Sequence, residues 1–179
     1  MYEDIITDLI IKGHYHTNDK DDFLFLMPII DNIKWIKGEE PNCRYIYDDE
    51  NIEAALSKTM KYLGEKYVAL IDKDFKFGYK SMWNGTDSTS CEWHNDLIEG
   101  PNLFFLLYCN DMKKNCGGEI EFRKTDTKQV TGSILPKMYD VVIGSQKLSW
   151  EHRVAPFKCE NIERIRVNFG FYVNYGFNY

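Results

Sequence analysis

Apolar positions change their spacing along the chain, from helical in the N-terminal third to strand-like afterwards. The clearest helical spacing joins five apolar residues: Ile52, Ala55, Leu56, Met60 and Leu63. Asp49 or Asn51 can cap the start of this helix, and Gly64 suits its end. Residues 2–12 and 22–37 also contain apolar runs, but these runs fit a buried strand and a helix equally well.

From about residue 66 onward, short apolar or alternating runs are separated by turn signals, which indicates a succession of strands. The predicted strands cover Tyr67–Ile71, Leu103–Cys109, Glu119–Arg123, Tyr139–Ile143 and Arg164–Val173. The second of these is almost entirely apolar, so we expect both of its faces to be buried. In the third, Ile120 and Phe122 alternate with charged residues after a Gly117-Gly118 turn, which is typical of a half-exposed strand.

Many short strands divided by turns indicate a mainly β fold with helices (α+β), specifically a sandwich or jelly roll behind an N-terminal layer. A chain of 179 residues is the size of one domain. We therefore expect a single domain over residues 1–179, with a helical or mixed layer over about 1–65 and the β core over about 66–179.

Composition places the chain among ordinary globular proteins, with 44% hydrophobic and 28% charged residues. The net charge of −6 disfavours a protein that depends on non-specific contact with phosphate backbones. No segment is apolar over about 18 residues, and Met1–Leu9 contains acidic residues without a basic n-region, so we predict neither a membrane span nor a secretory signal.

The five cysteines are odd in number and form no C-x-x-C pair, so neither a disulfide framework nor a closed zinc site is expected. A reducing, cytoplasmic location fits this pattern best. The abundance of Lys, Ile, Asn and Tyr suggests an AT-rich genome, such as that of a microbe or of a virus or phage acting in its host.

Four side chains form a candidate reaction centre. His94 and Asp96 are two residues apart, so in extended chain they point to the same face. His152 follows 58 residues later, after three predicted strands, and a rolled sheet can return it to the same opening. Two histidines and one carboxylate suit non-haem Fe(II) in oxygenases. Arg166, on the last predicted strand, needs an anionic partner if it is buried, and a small dicarboxylate would provide one.

Residues from about Trp83 to Val173 resemble the Fe(II)/2-oxoglutarate-dependent dioxygenases, in particular their prolyl 4-hydroxylase-like branch. The segments that resemble the family come in its order: His94-Asn95-Asp96, Phe105–Asn110, Gly117–Ile120, Pro136–Val142, His152–Pro156 and Arg166-x-Asn168. This joint pattern is specific for the family, although it carries no information about the substrate.

The resemblance implies a double-stranded β-helix and assigns roles to several residues. His94, Asp96 and His152 would bind Fe(II), while Arg166 and Tyr108 would contact the distal carboxylate of 2-oxoglutarate. The rest of the co-substrate pocket would comprise Leu106, Val154, Asn168 and Tyr172. The implied activity is hydroxylation of a C–H bond with O2 as co-substrate and release of succinate and CO2, with ascorbate as a candidate stimulant.

The sequence departs from the family pattern at several positions. Arg164 has the same strand parity as Arg166 and is therefore a rival anchor for the co-substrate. Gly170 stands where the family often has Ser or Thr, so one hydrogen bond to the co-substrate would be missing. The family's upstream tyrosine has no clean match, and Trp83 or Asn84 is nearest.

Other polar clusters have simpler interpretations. His14 and His16 are two residues apart, but no carboxylate or cysteine cluster accompanies them, so we expect a solvated loop. The acidic runs Asp19–Asp22 and Asp48–Glu50 are typical of solvated faces or helix caps.

Three functions remain open from the sequence. The leading one is hydroxylation of a prolyl or other peptide side chain, or of a small molecule. A nucleobase-directed oxygenase is the first alternative, and the acidic balance counts against a nucleic-acid partner. A non-catalytic jelly-roll binding module is the second. The sequence leaves the oligomeric state open, and no membrane partner is expected.

Overall fold

A computed structural model of the protein describes residues 2–30, 32–37, 43–45, 49–85, 91–96, 100–159 and 163–174. Its α-helices are α1 (Tyr2–Ile11), α2 (Met27–Ile30), α3 (Glu50–Leu63) and α4 (Ala69–Ile71), with a 3₁₀ turn at Lys20–Phe23 and a π-helical segment at Gly64–Val68. No helix in these ranges combines the length and the apolar character needed to cross a membrane.

The strands are β1 (His14–Asn18), β2 (Ile36–Lys37), β3 (Cys43–Tyr45), β4 (Lys76–Gly85), β5 (Cys91–His94), β6 (Leu103–Tyr108), β7 (Ile120–Lys124), β8 (Val130–Ile134), β9 (Asp140–Ser145), β10 (Trp150–Val154) and β11 (Arg164–Tyr172). They form a seven-stranded sheet in the order β1-β9-β6-β11-β4-β3-β2 and a four-stranded sheet in the order β5-β10-β7-β8. Every strand pair is antiparallel. The predicted α+β jelly-roll class is confirmed, and four of the five predicted strands are present within two residues of their expected bounds.

Two apolar layers hold these sheets in place. One lies between the helices and the larger sheet, where Ile5 and Leu56 pack with Phe105 and Val167. The other lies between the two sheets and includes Tyr108. Strand β6 is therefore covered on both faces, and all six of its residues are buried, as its apolar sequence predicts.

Helix α3 confirms the predicted helix, with Asp49 at its start and Gly64 at its end. The Asp49 side chain accepts hydrogen bonds from the backbone N–H groups of Asn51 and Ile52, at 2.9 and 3.4 Å. The α-helix ends at Leu63 with Gly64 as its C-cap residue, and the helical dihedral angles of Gly64 let the chain continue as the π-helical segment. A Cβ at Gly64 would lie 2.8 Å from the Phe75 ring, so glycine permits a close contact here.

The run Tyr67–Ile71, predicted as a strand, is helical in the structure, so that prediction is wrong. A short apolar run has no periodicity that separates a buried strand from a buried helix. Tertiary contacts decide the matter, because the Tyr67 hydroxyl donates to Asp22 at 2.7 Å and the Lys66 ammonium donates to Asp22 at 2.6 Å. Asp22 is consequently buried, which corrects its interpretation as a solvated residue. Asp48, in the other acidic run, lies outside the described residues.

The N-terminal layer contributes a strand to the larger sheet. Strand β1 pairs with β9, and this pairing buries His14, whose ring stacks on Phe122 with the ring centroids 4.3 Å apart. His16 lies on the same strand, with Nε2 3.1 Å from a carboxylate oxygen of Asp140. The expectation of a loop at these histidines is therefore wrong, and so is that of solvation for His14, whereas His16 is exposed as expected. The ring that stacks on His14 comes from a distant part of the chain, which the local sequence does not reveal.

Two cysteines form a disulfide, contrary to the sequence interpretation. Cys116 and Cys159 are bonded across a separation of 43 residues. Hydrogen bonds between their loops bring them together, since the Lys158 N–H donates to the Cys116 carbonyl at 2.7 Å. Cysteine spacing alone does not reveal a pair that depends on such long-range contacts. Cys109 is free and buried.

Candidate active site

The three predicted metal ligands meet on the inner face of the smaller sheet. His94 and His152 lie directly opposite each other in the register of β5 and β10, and their ring centroids are 4.4 Å apart. Asp96 follows β5, with one carboxylate oxygen 3.6 Å from His94 Nε2 and the other 3.6 Å from His152 Nε2. One ligand atom from each residue lies within 4.8 Å of the others, and the three residues could hold a metal ion.

Burial acts on one of the two proposed histidine ligands, and a backbone hydrogen bond orients the other. Burial lowers the pKa of His152 to about 3, assisted by the nearby charges of His94 and Arg166, so its imidazole is neutral at physiological pH. The Nδ1 atom of His94 lies 2.7 Å from the Glu92 carbonyl oxygen. A carbonyl only accepts, so in the neutral imidazole Nδ1 carries the proton and Nε2 keeps its lone pair for a metal.

A cavity of about 100 Å³ opens beside these ligands, between the two sheets. It is lined by Tyr79, His94, Asp96, Phe104, Leu106, Ile120, His152, Val154, Arg166 and Asn168. Four residues predicted for the co-substrate pocket are among them: Leu106, Val154, Arg166 and Asn168. The side-chain oxygen of Asn168 is buried and has no hydrogen-bond partner within the described protein. It can therefore accept a hydrogen bond from a polar ligand in the cavity.

The two candidate anchor arginines occupy different environments. Arg166 lines the cavity, whereas Arg164 is 3% exposed and donates from Nη2 to the Tyr108 hydroxyl at 2.7 Å. Tyr108 is fully buried in the layer between the sheets, and burial raises the pKa of its hydroxyl. The structure thus places Tyr108 beside Arg164, behind the residues that line the cavity.

Tyr172, predicted as a wall of the pocket, lies elsewhere, which corrects that prediction. It is 43% exposed and lines a separate open cavity with Asp72 and Asn102. On the face of β11 that bears Asn168 and Tyr172, the residue between them is Gly170. Pro101 and Tyr79 pack directly over it. Tyr79 is itself one of the residues that line the first cavity, whereas Tyr172 is not.

Tyr79 is a cavity residue that sequence reasoning missed. Strand β4 has a bulge in which two of its residues, Gly78 and Tyr79, lie opposite Gly170. The bulge reverses the alternation of side chains along β4. Phe77 therefore packs on the helix side, with its ring centroid 6.0 Å from that of Phe171, while Tyr79 faces the cavity.

From the spacing to His94, Trp83 or Asn84 was the nearest match to the family's upstream tyrosine, and no periodic pattern reveals the bulge that brings Tyr79 to the cavity. The one local hint is Gly78, because a glycine within a strand often marks a bulge. Partial burial raises the pKa of Tyr79, which is still 41% exposed, to about 12, and the neighbouring Asp96 carboxylate acts in the same direction. Its hydroxyl therefore stays protonated and can donate a hydrogen bond into the cavity.

The fold matches known structures although the sequence matches no family. No protein-family model matches the chain, and no curated protein sequence does. A prolyl hydroxylase from Trichoplax adhaerens, in complex with a hypoxia inducible factor oxygen degradation domain peptide fragment, has a TM-score of 0.70 and 13% identity, covering 96% of this chain and 88% of that one.

Two bacterial proteins match similarly. HygX from Streptomyces hygroscopicus, with nickel and 2-oxoglutarate bound, has a TM-score of 0.71 and 10% identity over 96% of this chain and 87% of that one. A Pseudomonas putida prolyl-4-hydroxylase has a TM-score of 0.63 and 15% identity over 97% of this chain and all of that one, a coverage of 100%. The chain therefore has the double-stranded β-helix fold of 2-oxoglutarate oxygenases, as its sequence resemblance predicts.

Proposed function

We propose that this chain is an Fe(II)- and 2-oxoglutarate-dependent oxygenase that hydroxylates a C–H bond and releases succinate and CO2. The observation that carries the proposal is the convergence of His94, Asp96 and His152 at a cavity that also presents Arg166. Two imidazoles and one carboxylate leave coordination positions open, which suits Fe(II) in oxygenases. The proteins that share the fold include one with 2-oxoglutarate bound.

The residues of the cavity fit a small dicarboxylate as well as a metal. The Arg166 guanidinium can bind a carboxylate through two parallel hydrogen bonds, and it is the arginine that lines the cavity. Apolar walls from Leu106, Ile120 and Val154 exclude water and strengthen this contact. We assign Arg166 to the distal carboxylate, with Arg164 and Tyr108 supporting the wall behind it.

Bound Fe(II) with its 2-oxo acid would supply the oxidising chemistry. The protein's part is to position the reactants: His94, Asp96 and His152 hold the metal, Arg166 orients the co-substrate, and Tyr79 offers a hydroxyl donor at the opening. The neutral state of His152 means that metal binding there displaces no proton at pH 7.

For the substrate, we propose a prolyl or other peptide side chain, or a small molecule, in preference to a nucleobase. Arg123 and Arg153, on the outer face of the smaller sheet, donate to Glu151 and Glu121, each at 2.6 Å. These pairs neutralise the arginines, which makes this face a poor site for a phosphate backbone.

The proposal is tested by measuring succinate formation and O2 uptake with Fe(II) and 2-oxoglutarate. We expect slow turnover by the wild type even without substrate, and a loss of at least about 100-fold in Asp96→Ala, because a ligand is removed. Asp126→Ala, in an exposed turn, is the matched control and should keep wild-type turnover. If the folded wild type neither binds Fe(II) nor consumes 2-oxoglutarate, it is a non-catalytic module and the proposal is wrong.

A further inference from the structure

The turn after β9 contacts the segment that bears two of the proposed metal ligands. We propose that Gln146, in this turn, is a positioning residue that fixes the Asp96 carboxylate for metal binding. This inference rests on the proposed function, since it concerns the same metal site. Gln146 touches neither metal nor co-substrate in this assignment and acts through Asp96 alone.

The Gln146 side chain has one clear polar contact. Its Nε2 donates to Oδ2 of Asp96 at 3.1 Å, and the residue is only 1% exposed. The Asp96 side chain is 51% exposed, and Gln146 is the buried amide that donates to it among the described residues. A buried amide that donates to a half-exposed carboxylate holds the carboxylate at one angle, with both oxygens near the two histidine Nε2 atoms.

A second contact ties the same two segments together. The side-chain amide of Asn95, between the ligands His94 and Asp96, donates to the carbonyl oxygens of Lys147 and Trp150, each at 2.7 Å. The Gln146 backbone is fixed in turn, because its N–H donates to the Asn102 carbonyl at 3.0 Å. Gln146 is therefore a rigid donor, and the ligand segment is held against it before any metal binds.

Partners that hydrogen-bond to metal ligands typically contribute 10–100-fold to metal affinity. Their contribution is preorganisation: a carboxylate already at the binding angle loses less conformational freedom when the metal arrives. Gln146→Met keeps the volume and flexibility of the side chain but removes the donor. We expect it to weaken metal binding without removing any ligand.

The experiment measures the Kd for Co(II) of the full-length protein by titrating the cobalt absorption bands, and the melting temperature of the metal-free protein in parallel. We expect Gln146→Met to raise this Kd about 10–100-fold and to alter the cobalt bands, which report ligand geometry. Gln129→Met makes the same chemical change in the exposed loop between β7 and β8 and should leave both readouts at wild-type values.

Three outcomes would overturn the inference. In the first, Gln146→Met binds Co(II) within about twofold of the wild type. In the second, a drop in melting temperature occurs with unchanged metal affinity, which would make Gln146 a packing residue. In the third, both Gln146→Met and a second variant, Gln146→Leu, fail to fold. A wild type that binds no Co(II) would instead contradict the proposed function itself.

Discussion

At the scale of a single residue, the burial of His152 affects both the stability of the protein and the protonation state of a proposed metal ligand. Burial holds its pKa near 3, against 6.5 in the unfolded chain. Between these values the unfolded state binds a proton that the folded state does not. The free energy of unfolding of the metal-free protein must therefore fall as the pH drops through this window.

We predict that this single histidine contributes up to about 1.4 kcal/mol of destabilisation per pH unit below pH 6.5. His152→Gln cannot titrate, so the free energy of unfolding of this variant should decline less steeply between pH 7 and pH 5. Urea unfolding of metal-free protein at these pH values measures the difference.

His14→Gln provides a comparison, because burial also lowers the pKa of His14. This substitution should remove a separate part of the dependence of the free energy of unfolding on pH. If His152→Gln shows the full wild-type pH dependence, then His152 is not buried in its neutral form as the structure indicates.

At the scale of one element, the β4 bulge decides which residues reach the cavity. Gly170 leaves room for Tyr79 in this position, because a Cβ at residue 170 would lie 2.7 Å from the Tyr79 ring and 2.6 Å from Pro101. This contact explains why β11 has a glycine where the resembling family often has Ser or Thr. The space for a side chain is already filled by the two rings.

We predict that Gly170→Ala displaces the Tyr79 and Pro101 rings, with a loss of about 1–3 kcal/mol of stability typical of overpacking. Because Tyr79 lines the cavity, the affinity for 2-oxoglutarate should fall severalfold as well. Calorimetric titration of the Mn(II)-loaded protein under anaerobic conditions measures it.

Gly64→Ala is the control for this effect, because its Cβ would also approach a ring, that of Phe75 at 2.8 Å, but lies outside the residues that line the cavity. It should leave 2-oxoglutarate affinity unchanged. If Gly170→Ala behaves like Gly64→Ala in the titration, Tyr79 has no role in co-substrate binding.

At the scale of the whole molecule, the Cys116–Cys159 bond joins the loop before β7 to the loop after β10. Strand β10 carries His152 and Val154, which line the candidate active site. The disulfide therefore anchors the loop that directly follows this strand. We propose that residues 1–179 act as one domain, supported by the pairing of N-terminal strand β1 with β9 of the core.

We predict that reduction of this disulfide destabilises the protein by about 3–4 kcal/mol, because closing a loop of this length restricts the unfolded chain. For a chain of this size, that corresponds to a melting temperature lower by roughly 10 °C. Thermal unfolding with and without a thiol reductant measures the change.

Cys116→Ser should melt at the same temperature in both conditions. Cys43→Ser, which changes a cysteine outside the pair, should retain the response to reductant. A wild type that melts identically with and without reductant would show that the bond contributes nothing to stability.

The outcome for particular residues shows which inferences a sequence supports. Helix α3 and strand β6 were predictable because the spacing of their own apolar residues encodes them. His94 and Asp96 were found as candidates because they are close in sequence. Gln146 was missed, since its contact to Asp96 joins residues 50 positions apart and glutamine carries no motif.

The spacing of apolar residues along the chain indicated the jelly-roll class and the buried central strand, because each depends on neighbours a few positions away. His94, Asp96 and His152 were identified as an iron-binding set from their residue types and from the family resemblance. Only the assembled sheets determined that residues 64–71 are helical, that Tyr79 faces the cavity, that Arg166 and not Arg164 lines it, and that Cys116 meets Cys159. Those features depend on register, bulges and packing between distant segments, and such contacts have no signature in the spacing of residues along one strand.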